Sequence, residues 1–224
     1  MTIEEKYKTL LQGKKIALVG PAQSINNSNN GSRIDSCDIV VRLNYAKILS
    51  PLDSGTKTDI IYYDGSHHDY EDLELSFLVC SYPKTEWFFR KRCQPNVNLF
   101  KEKYNHKIIN YKLYTRLKLS LNKNYKVRPN TGLIAMVDLL NYDIDSLFIT
   151  GVDFYRTGYL QSHPDYGNHS LEEIKKIFKS GDHGDYHDID LQFKYFEKNI
   201  ATNKKVILDD FLNKEINGSW QAKC

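Results

Sequence analysis

Short apolar runs alternate with longer polar or amphipathic stretches along most of the chain. KKIALVG (14–20) is apolar and ends in glycine, which reads as a buried first strand. CDIVVRLN (37–44), TDIIYYD (58–64) and LSFLVCS (75–81) read as the next three strands, and HKIINY (106–111) as a fifth. SLFITGVD (146–153) is the clearest strand of all, and KKVILDD (204–210) reads as the last. Between them lie segments of helical period. TGLIAMVDLLNY places Leu133, Ile134, Val137 and Leu140 on one face. SLEEIKKIFKS (170–180) opens with a Ser-x-x-Glu start close to a capping box. DIDLQFKYFEKNIA (188–201) is amphipathic, with Leu191, Tyr195 and Phe196 expected inward. KTEWFFRKR (84–92) reads as a short helix, and PAQSINNSNNGSRIDS (21–36) as a polar turn region carrying helix-start residues.

Strands that alternate with helices favour a mostly parallel sheet covered on both faces. The fold class is therefore α/β, a single Rossmann-like domain over residues 1–224, with no internal repeat and no low-complexity linker. Ligands of such sheets bind beyond the carboxyl ends of the strands. Four strand ends then become candidates: Gly20-Pro21-Ala22, Arg42-Leu43-Asn44, Tyr63-Asp64-Gly65 and Gly151-Val152-Asp153.

The turn after Gly20 would let backbone N–H groups approach a phosphate or ribose. The same glycine also suits a tight turn that packs helix on sheet. No G-x-G-x-x-G and no G-x-x-x-x-G-K-[ST] is present, which weakens NAD and ATP readings. Asn44 ends a strand, where an amide can both donate to and accept from a ribose or phosphate, or simply form a turn. Asn130-Thr131-Gly132 opens a helix, so it can cap that helix and still offer N–H groups to an anion. Arg128 would add charge there. Tyr155 and Tyr159 follow a strand and are placed either to donate to a phosphate or merely to pack. His163, His169, His183 and His187 crowd into one stretch, and a neutral imidazole is a suitable general base. His183 and His187 also have the i, i+4 spacing of a metal pair, but Gly184 and Asp185 argue against a helix there, and no H-E-x-x-H occurs.

The totals change this picture little. The chain has 224 residues, 41% apolar and 26% charged, an ordinary soluble balance for one domain. A net charge of +3 is too mild to argue for nucleic acid, and suits an anionic small molecule or weak attraction to an acidic membrane surface. MTIEEKYKTLLQGKK is charged and lacks an apolar core segment, so no signal peptide is expected, and no run approaches a spanning length. Cys37, Cys80, Cys93 and Cys224 show no close pairing, and two fall in or beside strands. Buried free thiols in a reducing, cytoplasmic setting are the expectation, with at most peripheral association at the inner face of a membrane.

Taken in order, these motifs resemble the sialyltransferases that use CMP-activated sugars. The nearest likeness is to the bacterial lipooligosaccharide enzymes, and a more distant one is to the animal enzymes with long, short and very short motifs. IALVGPAQS…GSRIDSCDIVVRLNYA resembles the long motif. RPNTGLIAMVDLLNYDIDSLFITGVDFY resembles the bacterial R-x-[ST]-[ST]-G…G-[IV]-D-F-Y block and the animal short motif. YHDIDLQFKYFEKN resembles the very short motif, a His followed five residues later by an acid.

The resemblance implies a GT-A-like variant of the α/β fold with a flexible lid, assigned here to about 156–182. It implies inverting transfer of a sialic acid from a CMP-sugar to a glycan hydroxyl, with a His as base and neither metal nor cofactor. By motif, Asn44 would contact the nucleotide. Asn130, Thr131 and Gly132 would hold CMP or the sugar carboxylate. Gly151 and Asp153 would shape the nucleotide pocket. Tyr155 and Tyr159 would bind the phosphate, and Arg128 would support the base or the phosphate.

Three departures stand out. Gly20-Pro21 replaces the family's Gly-Asn pair. His187 has the context of the very short motif but Gln192 in the acid's place, while His183 has Asp188 five residues on, so both remain candidates for the base. The short motif's cysteine is absent, so its disulfide is not expected. CMP-Kdo is a rival donor, since it too carries a carboxylate and leaves CMP. A nucleotide- or glycan-binding domain that has lost its chemistry is a rival of another class.

Overall fold

A computed structural model describes residues 1–44, 48–65, 70, 73–83, 102–121, 127–160, 167–180 and 187–221. The element order is α1 (Ile3–Leu11), β1 (Lys15–Val19), a 3-10 turn (Gln23–Ile25), α2 (Gly31–Asp35), β2 (Ile39–Leu43), α3 (Pro51–Ser54), β3 (Ile60–Tyr63), β4 (Phe77–Cys80), β5 (His106–Ile108), α4 (Tyr111–Leu121), α5 (Thr131–Leu140), β6 (Ser146–Thr150), α6 (Leu171–Ser180), α7 (Ile189–Asn199), β7 (Val206–Leu208) and α8 (Asp210–Gln221). The seven strands form one sheet in the order β5-β4-β3-β2-β1-β6-β7. Every pair is parallel.

That order follows from the unbroken apolar character of the strands. β2, β3 and β4 are buried at every position, as a sheet covered on both faces requires. Alternate residues of β1 serve opposite faces. Ile16 and Leu18 join the larger apolar cluster with Tyr7 of α1, Leu117 of α4, Leu133 of α5 and Phe196 of α7. Ala17 and Val19 join a smaller cluster with Ile25, Ile34, Val40, Phe148 and Leu160.

β1 lies between β2 and β6, with Ala17 opposite Val40 on one side and Phe148 on the other. The chain returns from β1 towards one edge through β5, then crosses back to β6 on the other side. The crevice between the carboxyl ends of β1 and β6 is therefore the switch point where α/β sheets bind ligands.

The helices α1, α3, α4 and α8 were not expected from the sequence. α1 is fixed by a capping box, with Thr2 Oγ1 accepting from Glu5 N–H and the Glu5 carboxylate accepting from Thr2 N–H at 2.7 Å. The inward face of α7 differs from the expected one. Ile189, Gln192, Phe193 and Phe196 are buried, whereas Leu191 and Tyr195 are half-buried. The segment 84–92 lies outside the described residues.

Two polar groups are buried with their partners. The Arg42 guanidinium on β2 donates to the carbonyls of Ser54 and Lys57 at 2.8 and 2.9 Å, and burial lowers its pKa to about 10. Lys107 on β5 and Tyr62 on β3 both donate to Asp138 of α5, at 2.8 and 2.7 Å. Cys80 is buried, its Sγ donating to the Tyr82 carbonyl at 3.4 Å, and Cys37 is half-buried. Among the described residues, no helix is long and apolar enough to cross a membrane.

Candidate active site

The carboxyl ends of β1 and β6 meet through glycine. A Cβ built on Gly20 would lie 2.2 Å from the Gly151 carbonyl oxygen, so only glycine lets the two backbones pass. Gly151 itself has φ +64. The backbone there is fully engaged. Gly20 N–H donates to Thr150 O, Ala22 N–H to Gly151 O and Gln23 N–H to Gly158 O, all within 3.0 Å. Pro21 has no N–H. This turn therefore shapes the floor of the crevice, and its amides point into the protein.

The start of α5 closes over that floor. A Cβ on Gly132 would lie 3.2 Å from Val152 and 3.3 Å from Leu43, so β2, β6 and α5 converge at this residue. Asn130 caps the helix, its Oδ1 accepting from Leu133 N–H at 2.8 Å. Ile134 N–H bonds Asn130 O. The cap and the first helical bond leave the N–H groups of Thr131 and Gly132 as the donors of the helix start, at the positive end of its dipole.

The three residues before the helix are pinned by three side chains. His187 Nδ1 bonds the Arg128 carbonyl at 2.8 Å. Tyr82 OH donates to the Pro129 carbonyl at 3.2 Å. Asn130 N–H donates to Gln192 Oε1 at 2.8 Å. A carbonyl can only accept, so His187 Nδ1 carries the proton and Nε2 the lone pair in the neutral ring. His187 is 6% exposed and directly precedes Asp188, the N-cap of α7. The contact between Arg128 and His187 thus runs through the Arg128 main chain.

Asn44 follows β2 in the left-handed region, at φ 51. Its N–H donates to Tyr62 O at 2.7 Å and its carbonyl accepts from Tyr70 OH at 3.2 Å. Its side-chain Oδ1 is buried and has no partner among the described residues. Asp64 sits at the end of β3, two strands from β1, on the periphery of this convergence.

After β6 the chain turns sharply. Phe154 and Tyr155 both have positive φ, 53 and 62. Phe154 is anchored against Phe193 and Phe196 of α7, with ring centroids 5.6 and 5.0 Å apart. Asp153 is buried and holds the turn by accepting from the Thr157 N–H and hydroxyl. Burial raises its pKa, and the Thr157 hydrogen bonds oppose that rise. Tyr155 and Tyr159 lie edge to face, 5.6 Å between centroids. Tyr159 pairs with Ala22 in an antiparallel bridge, and Leu160 N–H donates to Pro21 O. The first residues of the expected lid are thereby tied to the β1 turn, and α6 falls within the same span. His163 and His183 lie outside the described residues.

Sequence reasoning missed Tyr82, the bond from Gln192, and Asp209. Asp209 caps α8 through Leu212 N–H at 2.9 Å and also accepts from Gly151 N–H at 3.4 Å. Applying the strand-end rule to the fourth strand would have found Ser81 and Tyr82. Gln192 reads from sequence only as a departure. Among the described residues, no group of three or more His, Cys, Asp or Glu is arranged to hold a metal.

The model of glycosyltransferase family 29 (sialyltransferase) matches residues 5–198. Among solved structures, a mammalian sialyltransferase in complex with Gal-beta-1-3GalNAc-ortho-nitrophenol is 19% identical with a TM-score of 0.58, over 90% of this chain and 71% of that one. The monofunctional alpha-2,3-sialyltransferase Cst-I from Campylobacter jejuni is 18% identical with a TM-score of 0.56, over 88% and 76%. The sialyltransferase CstII from Campylobacter jejuni in complex with cytidine-5'-monophosphate is 15% identical with a TM-score of 0.50, over 88% and 80%. These likenesses establish the fold. No curated protein sequence matches the chain.

Proposed function

The chain belongs to glycosyltransferase family 29, the sialyltransferases, and from that premise we propose that it transfers a sialic acid from CMP-sialic acid to a glycan hydroxyl with inversion, using His187 as general base. The observation that carries this reading is the 2.8 Å bond from His187 Nδ1 to the Arg128 carbonyl. It fixes the tautomer that leaves the lone pair on Nε2. It also ties the base to the segment that opens α5, so base and anion acceptor share one short piece of backbone.

In this reading His187 Nε2 takes the proton of the acceptor hydroxyl as its oxygen attacks the anomeric carbon. The bond from that carbon to the CMP phosphate oxygen breaks on the opposite face, which inverts the configuration. The departing charge is received by the N–H groups of Thr131 and Gly132 and by the phenols of Tyr155 and Tyr159, with no metal required. Asn44 Oδ1 accepts from the nucleotide. Gly20, Gly151 and Val152 set the floor on which the cytidine rests. The acceptor is read by residues of the 156–182 span.

Donor turnover tests this directly. His187→Ala is expected to lower kcat by about 10²–10⁴-fold, with the CMP affinity held within a few-fold. His183→Ala is the control and is expected to stay near wild type. Wild-type turnover in His187→Ala, with loss in His183→Ala, would move the base to His183. Turnover of CMP-Kdo in place of CMP-sialic acid would change the donor but not the site. Selective CMP binding without turnover of either donor would make the chain a binding domain.

A further inference from the structure

The buried end of Gln192 has a second function in view. Its side chain is fully buried, and its Oε1 accepts from Asn130 N–H at 2.8 Å. A backbone N–H requires an oxygen opposite it, so the orientation of the amide is fixed by chemistry. The Nε2 of the same amide is buried without a partner among the described residues. Buried amide donors are ordinarily satisfied, and an orphan of this kind calls for an explanation. It lies one amide carbon away from the oxygen that holds the helix cap. The N–H groups of Thr131 and Gly132, the donors left over by that cap, belong to the same helix start.

Resting on the sialyl-transfer reading, we propose that Gln192 is an anion-binding residue of the donor site. Its Oε1 holds the start of α5 in place, and its Nε2 donates to the anion received by Thr131 and Gly132. The ligand chemistry is a phosphate or carboxylate oxygen of a CMP-activated acidic sugar. A carboxylate side chain at this position would keep the bond to Asn130 N–H, and it would replace the second donor with a negative charge. The neutral amide at a position where the family pattern has an acid is, in this chain, a ligand contact.

The test compares the wild type with Gln192→Glu and Gln192→Met, using calorimetry with CMP and with CMP-sialic acid. Gln192→Glu keeps shape and acceptor but buries a charge, so a lowered melting temperature is expected along with an affinity that falls about tenfold or more, the usual worth of a charge-assisted hydrogen bond. A loss seen with both ligands assigns the contact to the phosphate. A loss seen only with CMP-sialic acid assigns it to the sugar carboxylate. Gln192→Met removes both bonds and is expected to lose thermal stability as well. Gln192→Glu binding both ligands as the wild type does would overturn the proposal.

A second measurement needs no variant to fold. The Gln192 side-chain amide signals, assigned through bonds in labelled wild-type protein, are expected to shift on saturation with CMP or CMP-sialic acid. Signals that stay in place with both ligands bound would overturn the proposal and leave the transferase reading intact. A wild type that binds neither ligand would overturn both.

Discussion

Asn44 joins a backbone requirement to a proposed ligand role. Its φ of 51 favours Gly or Asn, and its Oδ1 is buried without a partner among the described residues. The two parts separate by substitution. Asn44→Gly keeps the left-handed backbone, so its melting temperature is expected to stay near wild type while CMP affinity falls by up to about tenfold. Asn44→Ala is expected to lose the same affinity and to add about 1 kcal/mol of backbone strain. Unchanged CMP affinity in Asn44→Gly would remove this residue from the site. Gly20 is the opposite case, with a purely steric demand. Gly20→Ala drives a methyl into the Gly151 carbonyl, which is backbone and cannot rotate away. A loss of about 3 kcal/mol in denaturant unfolding is expected.

At the level of elements, Lys107, Asp138, Tyr62 and Tyr7 join β5, α5, β3 and α1 in one buried network. Tyr7 OH and Tyr62 OH lie 2.7 Å apart, and Tyr62 and Lys107 share an Asp138 oxygen. Lys107→Met leaves the Asp138 carboxylate buried without its cation and is expected to cost about 3–5 kcal/mol. Lys107→Met with Asp138→Leu is expected to cost less than Lys107→Met alone. The network also sets a pH response. Burial raises the pKa of both Tyr7 and Tyr62, with the Asp138 charge adding to the rise. A raised pKa in the folded state means that the unfolded chain loses its phenol protons first. The contribution of these two phenols to stability should therefore be constant below pH about 10, the ordinary tyrosine value, and fall as pH rises beyond it. Melting curves between pH 8 and 11 would check this.

The same elements show what the sequence could reveal. All seven strands were visible, β1 to β4 and β6 as the continuous apolar runs of a sheet covered on both faces, and the edge strands β5 and β7 as shorter ones. The helices α1, α4 and α8 were not, since their apolar positions are sparse and tertiary packing decides them. β7 shortened to Val206–Leu208 because Asp209 caps the next helix, a signal hidden inside KKVILDD. Candidate residues were legible where a motif needs a residue type, as at Asn44 or Asn130. The site was illegible where distant segments meet. Nothing local in Tyr82 or Gln192 shows that each holds one residue of the Arg128–Asn130 segment.

On the scale of the whole molecule, the crevice joins the ends of β1, β2 and β6 to the starts of α5 and α7. A ligand bound there bridges segments distant in sequence, and binding must raise global stability. At a CMP concentration of 100 times the dissociation constant, the gain is about 2.7 kcal/mol, or about 5–10 °C in melting temperature for a chain of this size. UDP and ADP at the same concentration should give no comparable shift. Chelation by EDTA should leave both the shift and donor turnover unchanged, and loss of turnover would bring a metal into the mechanism.

The placement of β1 between β2 and β6 has a consequence for biosynthesis. On the ribosome β1 emerges early and can pair with β2, but Ile16 must wait for Leu147 before its other side is filled. A nascent chain arrested before residue 146 carries the central strand of the future sheet as an open apolar edge, the kind of surface that chaperones cover and that aggregates when they do not. The crevice has no floor until Gly151 follows β6 into place beside Gly20. Nucleotide binding therefore waits until β6 has joined β1.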